Sequence, residues 1–300
     1  MWLSEQWQDY EILDTTDGEK LERWGDYILV RPDPQVIWQT GHTHPGWKQK
    51  NAHYHRSKKG GGEWEFIDLP KEWQISYRLC THKQLSFHLK PFSFKHTGLF
   101  PEQAVNWEEM VRRIEDALAG GRREIRILNL FAYTGGATLA CASAGASVCH
   151  VDASKGMVTW AKENAVLSGL QEAPIRWLVD DCGKFVAREI RRGNRYDGIL
   201  LDPPSYGRGP KGEIWKLEDS IYPFLQSVVQ LLSDRPLFLF LNSYTTGLAP
   251  GVLTCLLKNA LYEKSYRSGD FSVVAGEVGL PVANRDLILP CGACGRVFFD

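Results

Sequence analysis

Long hydrophobic runs are missing from this chain. Its longest apolar stretch, near Leu237 to Leu241, falls far short of the roughly 20 residues a membrane helix needs, so a transmembrane protein is not expected. Net charge is also nearly absent. Thirty-five Lys and Arg stand against 36 Asp and Glu, giving −1, so no global positive field draws the chain to nucleic acid or to an anionic membrane. Any such partner must be held by a local basic patch. The seven cysteines are odd in number and scattered, which reads as small buried hydrophobes in a reducing compartment and not as a disulfide framework. The first residues, MWLSEQWQDYEILD, carry acids early and no apolar core, so no secretory signal is read there and the cytoplasm is the expected location. Absent too is the G-x-G-x-x-G of dinucleotide enzymes.

What is present is an ordinary globular composition, 43% hydrophobic and 24% charged, which sets aside disordered, fibrous and coiled-coil readings. At about 150 residues per domain, 300 residues suggest two.

Residues 1–93 carry short alternating or aromatic runs, YILV (27–30), QVIW (35–38), EWEFIDL (63–69), QISYRL (74–79) and QLSFHLKPF (84–92), with turn-like TTDG, RPDP and KKGGG between them. This predicts a small antiparallel β-rich domain. Inside it, residues 41–62 hold five Lys/Arg, four His and no acid. The Gly triplet and lack of apolar periodicity predict a flexible excursion, with contact to a polyanion as the functional alternative. The pairs His42/His44 and His53/His55 do not match closed zinc-site spacing and no cysteine is near, so no metal is expected.

From residue 94 onward the rhythm changes. PEQAVNWEEMVRRIEDALAGG (101–121) has Pro at its head, early acids, apolar Val105, Met110, Ile114 and Leu118, and Gly at its tail, which predicts an amphipathic helix. Strand and helix then alternate: strands at 125–131, 147–153, 175–181, 197–204 and 237–244, helices between and after them, and a closing hairpin in the tail. The fold class is therefore α/β: a Rossmann-like, mainly parallel sheet with an antiparallel hairpin, preceded by the β-rich domain, with ligands at the carboxyl ends of the strands.

Those strand ends carry the chemistry. The first runs through Asn129, Phe131, Tyr133, Thr134 and Gly135 into a helix, where a Gly pair lets the backbone approach a ligand. The second ends in Asp152, placed to accept both hydroxyls of a ribose, and the third in Asp180-Asp181, placed to accept from an adenine amino group. Helix N-caps are the alternative role for Asp152 and Asp181. The fourth ends in Asp202-Pro203-Pro204-Ser205-Tyr206, where two prolines hold the backbone extended and Tyr206 offers a stacking face.

The segments LNLFAYTGG, VDASKGMVTWAKENA, DDCGKF, DPPSYGRGPKGEIWKLE and FKHTGLFPEQAVNW resemble class I S-adenosylmethionine-dependent methyltransferases of the large-subunit ribosomal RNA methyltransferase I/K type, from about residue 85 to the C-terminus. The resemblance implies S-adenosyl-L-methionine as cofactor, leaving as S-adenosyl-L-homocysteine. Asn129, Phe131, Tyr133, Thr134 and Gly135 would hold its methionine part; Asp152, with Ala153 and Ser154, the ribose; Asp181 with Cys182 the adenine. Thr97, Phe100 and Gln103 would close over it. Asp202, Pro203, Pro204, Ser205 and Tyr206 would face the methyl acceptor, with Asp202 also bordering the cofactor. RNA is the expected substrate, contacted by Tyr206, Arg208, Lys211 and Lys216. Members acting on cytosine C5 would offer a cysteine near the fourth or fifth strand for covalent attack, whereas DPPSYG and LNSYTTG stand here, so C5 chemistry is not expected. The alternatives are methylation of a protein or small molecule, an NAD(P) oxidoreductase, and an inactive nucleic-acid-binding protein.

Cys291 and Cys294 make half a zinc ribbon or a redox pair with no second CxxC, and the Arg188, Arg191, Arg192 and Arg195 run reads as a solvated helix face.

Overall fold

The computed structural model describes residues 1–57, 61–92, 95–208, 214–245, 247–283 and 285–299. The chain divides into two compact units, Met1–Val105 with Val278–Cys291, and Asn106–Glu277 with Gly292–Asp300. This differs from the expected division at 93/94: residues 94–105 and the middle of the C-terminal hairpin group with the N-terminal unit.

The first unit contains β1 (Trp2–Leu3), β2 (Tyr10–Thr16), β3 (Glu19–Trp24), β4 (Tyr27–Pro32), β5 (Ala52–Arg56), β6 (Gly62–Phe66) and the separate hairpin β7 (Trp73–Arg78) and β8 (Gln84–Leu89). Strands β2 through β6 are hydrogen-bonded neighbours in sequence order. Asp17 and Gly18, at φ 53° and 81°, turn β2 into β3 as Asp-Gly does in tight hairpins. Two expectations are corrected here. QVIW at 35–38 is not a strand; Trp38 folds back and donates from Nε1 to the Thr15 carbonyl at 3.0 Å, and Ile37 lies exposed. Within residues 41–62, the part from 41 to 57 is not simply a flexible excursion, since a 3-10 turn at Pro45–Trp47 leads into β5, while residues 58–60 lie outside the described residues. Ala52 and Tyr54 alternate into the interior and so supply the buried face that holds this segment to the sheet.

From Ala104 onward the chain shows the expected alternation: α1 (Ala104–Ala119), β9 (Arg126–Leu130), α2 (Gly136–Ser143), β10 (Ser147–Asp152), α3 (Lys155–Leu167), β11 (Ile175–Val179), α4 (Cys182–Arg192), β12 (Gly198–Leu201), a short ribbon of β13 (Tyr206–Arg208) and β14 (Ile214–Lys216), α5 (Leu217–Val228), β15 (Phe238–Ser243), α6 (Pro250–Glu263), β16 (Phe271–Val282) and β17 (Leu287–Phe299). The order across the sheet is β11-β10-β9-β12-β15-β17-β16. The pairings from β11 to β15 are parallel, and β17 joins β15 antiparallel. Leu128 and Leu130, Ile199 and Leu201, and Leu239 and Leu241 are spaced two apart, so they share a face, and they pack with Phe185, Leu225 and Leu257 in one core. Full burial of each such side chain stabilises the fold by about 1.5–3 kcal/mol. Chain order reverses between β9 and β12, and a crevice opens at such a switch point, at the carboxyl ends of the strands.

Candidate active site

The turn after β9 is built under strain. Phe131 and Tyr133 sit in the left-handed region at φ 56° and 50°, and Gly135 follows at 89° as the residue before α2. Left-handed backbone costs a non-glycine residue about 1–3 kcal/mol, so neighbours must hold it. Three do. Asp152 Oδ2 accepts from the Tyr133 N–H at 2.9 Å, Cys182 Sγ accepts from the Phe131 N–H at 3.3 Å, and Asn164 Nδ2 donates to the Thr134 carbonyl at 2.9 Å. A methyl at Gly135 would meet Ala161 Cβ at 3.0 Å, and one at Gly136 would meet Trp107 Cζ2 at 2.5 Å, so both glycines permit close packing. The turn is thus a cradle clamped from β10, α3 and α4.

The second oxygen of Asp152, Oδ1, accepts from the Ser154 N–H at 2.8 Å. Burial raises the pKa of Asp152 while the two N–H bonds oppose the rise. Its carboxylate therefore fixes two backbone segments and keeps lone pairs for a ligand hydroxyl. Ser154 caps α3, accepting from the Met157 N–H at 3.4 Å, and Ala153 is exposed. Asp181 caps α4, accepting from the Lys184 N–H at 2.8 Å, and is exposed; Asp180 is ion-paired with Arg188. Both readings of Asp181, cap and adenine partner, are compatible with this position, because capping uses Oδ1 alone.

Asn129 stands behind the cradle. It is buried, and its Nδ2 donates to Thr138 Oγ1 at 2.9 Å, which lies 2.9 Å from His150 Nδ1. Burial drives the His150 pKa down to about 3, so the ring is neutral, and its Nε2 has no hydrogen-bond partner among the described residues. Asn129 thus braces the strand end.

At the end of β12, Asp202 is half-buried and its N–H reaches the Leu130 carbonyl at 3.5 Å. Pro203 is buried, and the Pro204 carbonyl accepts from Trp215 Nε1 at 2.7 Å. The Trp215 ring packs 5.5 Å from Phe131 and 5.7 Å from Phe224, so the ribbon is tied to the strained turn. Ser205 Oγ accepts from Thr245 Oγ1 at 2.6 Å, and Tyr206 is 54% exposed. Lys216 lies 3.6 Å from Asp219 and both are exposed. Arg208 ends β13, and Lys211 lies outside the described residues. Thr97, Phe100 and Gln103 belong to the first unit; Thr97 and Gln103 are buried there, and Thr97 Oγ1 has no hydrogen-bond partner among the described residues.

Asn164, Thr138, His150, Trp215 and Thr245 escaped sequence reasoning. They act through backbone groups or through residues 9 to 40 positions away, and no local spacing marks such contacts. Cys294, too, is placed by the fold: it pairs in register with Asn242 on β15, but burial pushes its thiol up to about 12, as it does for Cys182. Burial likewise raises the Cys291 thiol well above its ordinary value.

A strained turn after the first parallel strand, acids ending the next two, and an extended Asp-Pro-Pro segment across the switch point define a Rossmann-like enzyme of the class that binds a nucleoside-containing cofactor. Comparison with known proteins narrows this. The sequence profile of the S-adenosylmethionine-dependent methyltransferase family matches residues 49–224, and the chain belongs to that family. A crystal structure of the S-adenosylmethionine-dependent methyltransferase from Agrobacterium tumefaciens is 36% identical, covers 99% of this chain and 92% of its own, and superposes with a TM-score of 0.88. A Streptococcus mutans protein described as such a methyltransferase shares the fold at 16% identity, over 98% of this chain and 76% of its own, with a TM-score of 0.70. The ribosomal RNA large subunit methyltransferase K/L of Shewanella baltica is 31% identical over 188 residues, 62% of this chain and 24% of the relative. That of Cellvibrio japonicus is 28% identical over 204 residues, 67% of this chain and 25% of the relative. The chain matches about a quarter of the length of these two relatives. The residues of the cradle fit the family's cofactor: a strand-end carboxylate with unused lone pairs, and a turn whose glycines admit no side chain. No helix among the described residues is long and apolar enough to cross a membrane.

Proposed function

We propose that this protein transfers the methyl group of S-adenosylmethionine to a nitrogen or oxygen of RNA, and not to cytosine C5. The observation that carries the reading is the strained turn of Phe131, Tyr133 and Gly135, clamped by Asp152 and tied through Trp215 to the Asp202-Pro203-Pro204 segment. When bound, the cofactor supplies an electrophilic methyl group on a sulfonium. The chain's own residues then position and deprotonate. Residues 129–135 and Asp152 hold the methionine and ribose parts, with Ala153, Ser154, Asp181 and Cys182 bordering the nucleoside. Asp202 accepts the hydrogen bond, and then the proton, of the acceptor N–H or O–H. Tyr206 offers a stacking face to a base, and Arg208, Lys211 and Lys216 meet phosphates. Alignment for in-line attack is the main source of rate, as it is wherever both reactants are held in one geometry.

RNA is favoured because the Shewanella baltica and Cellvibrio japonicus relatives are named as ribosomal RNA methyltransferases. Cytosine C5 is disfavoured because covalent attack needs a thiolate, and burial keeps Cys182 and Cys294 as thiols. The test is methyl transfer from labelled cofactor to ribosomal RNA, to protein extract and to small-molecule extract, with the modified nucleoside identified by mass spectrometry. Label in a nucleoside other than 5-methylcytidine is expected. Asp202→Asn should keep its affinity for S-adenosylhomocysteine while turnover falls by about 10²–10⁴, the usual weight of a general base. Label in protein or small molecules alone, or in 5-methylcytidine, would overturn the proposal.

A further inference from the structure

The N-terminal unit places three metal-ligating side chains together. His53 and His55 are two apart on β5 and so share one face of the strand. Glu65 on β6 stands directly opposite His53 in the antiparallel register. The ligand atoms of His53, His55 and Glu65 all lie within 4.8 Å of one another, the two imidazole rings are 3.9 Å apart, and His55 Nε2 is 2.8 Å from Glu65 Oε2. Glu19 on β3 reaches the same group: its Oε1 is 2.6 Å from His53 Nε2. We propose that the β5–β6 hairpin binds a divalent transition-metal ion, zinc being the physiological choice, through His53, His55 and Glu65, with Glu19 as the carboxylate that orients the His53 ring.

The chemistry of the donors selects the ion. Two imidazoles with one carboxylate suit zinc, nickel, copper or cobalt, whereas calcium and magnesium require oxygen donors throughout. Three protein ligands are enough when water fills the remaining position, and water has access, since the His55 and Glu65 side chains are 49% and 53% exposed. A carboxylate beside a ligating histidine is the usual device that sets ring orientation, and Glu19 occupies that place. Along the chain, two His-x-His pairs with no cysteine near do not match a closed zinc site; the third donor arrives across the hairpin, where chain spacing cannot register it. A bound ion would clip β5 to β6 at the edge of the sheet and stabilise the folded form by mass action.

The test uses the full-length protein, stripped with a chelator and titrated with zinc chloride by calorimetry. Saturable binding of about one equivalent is expected, with a rise in unfolding temperature and, on replacement by cobalt chloride, a visible ligand-field spectrum. His55→Ala and Glu65→Gln should each abolish saturable binding, and Glu19→Gln should weaken it by about 10–100-fold. A His42→Ala/His44→Ala variant should bind as the natural protein does. Because His55 and Glu65 are exposed, their variants should melt with the natural protein when zinc is absent, which separates a lost ligand from a lost fold. No saturable binding by the natural protein, or undiminished binding by His55→Ala and Glu65→Gln, would overturn the proposal.

Discussion

Replacing Asp152 by asparagine should loosen the cradle and weaken cofactor binding together. The carboxylate accepts two backbone N–H bonds, from Tyr133 at 2.9 Å and from Ser154 at 2.8 Å. An amide of the same shape has one acceptor oxygen, so one of these N–H groups must face an NH₂ and lose its partner. Hydrogen bonds to a charged group contribute about 1.5–3 kcal/mol. If the Tyr133 bond is the one lost, a left-handed residue at φ 50° also loses the contact that holds it. At about 2–4 °C per kcal/mol for a domain of this size, the melting temperature should fall by about 3–12 °C. The same 1.5–3 kcal/mol, lost from the organisation of the site, corresponds to about 10–150-fold in affinity for S-adenosylhomocysteine. Asp152→Ala, which removes both acceptors, should fall further on each measure. Differential scanning calorimetry and isothermal titration of the natural protein and the two variants give the ordering. If Asp152→Asn melts and binds as the natural protein does, the claim that this carboxylate holds the turn is wrong.

The buried Glu22 of the first unit makes stability depend on acid. Burial alone would raise its pKa, but Arg31, bonded at 2.6 and 2.8 Å, and Lys20 outweigh that and hold it at about 2. Because the folded value lies below the ordinary 4.5, this stabilisation is present above about pH 4.5 and is lost as pH falls toward 2. Glu22→Gln should cost about 3–5 kcal/mol by stranding the Arg31 charge, and thermal melts across pH 2–7 should lose most of that acid dependence. Cys294→Ala should leave methyl transfer within a few-fold of the natural protein, measured with labelled cofactor, because a buried thiol pushed up to about 12 takes no part as a nucleophile; abolished turnover with unchanged cofactor binding would refute this.

Within the first unit, the strands that the sequence concealed are instructive. Tyr10–Thr16 and Glu19–Trp24 flank a turn that reads clearly as Thr-Thr-Asp-Gly, yet neither strand shows the expected alternation of apolar and polar residues. The reason is that Asp14, Thr15, Thr16 and Glu22 are buried. Asp14 Oδ2 accepts from Trp47 Nε1 at 2.9 Å, and Glu22 is satisfied by Arg31 and Tyr10. A polar residue that finds partners inside can occupy a core position, and a pattern of hydrophobicity then misreports which face is buried.

The sequence by itself determined the catalytic unit's order of strands and helices, because parallel strands buried on both faces are mostly apolar and their ends are polar where a ligand sits. RILNL, SVCHVD and GILL are largely apolar and lead into Gly135, Asp152 and Asp202 at or just after their ends, although the buried Asn129 and His150 interrupt the apolar run. Tertiary structure alone decided the contacts that hold those ends in place: Asn164 on Thr134, Trp215 on Pro204 and Phe131, Thr138 and His150 behind Asn129. It alone brought Glu65 and Glu19 to His53 and His55. Local pattern follows from the repeat of a helix or strand, whereas these pairings depend on which elements become neighbours, and only the packed chain fixes that.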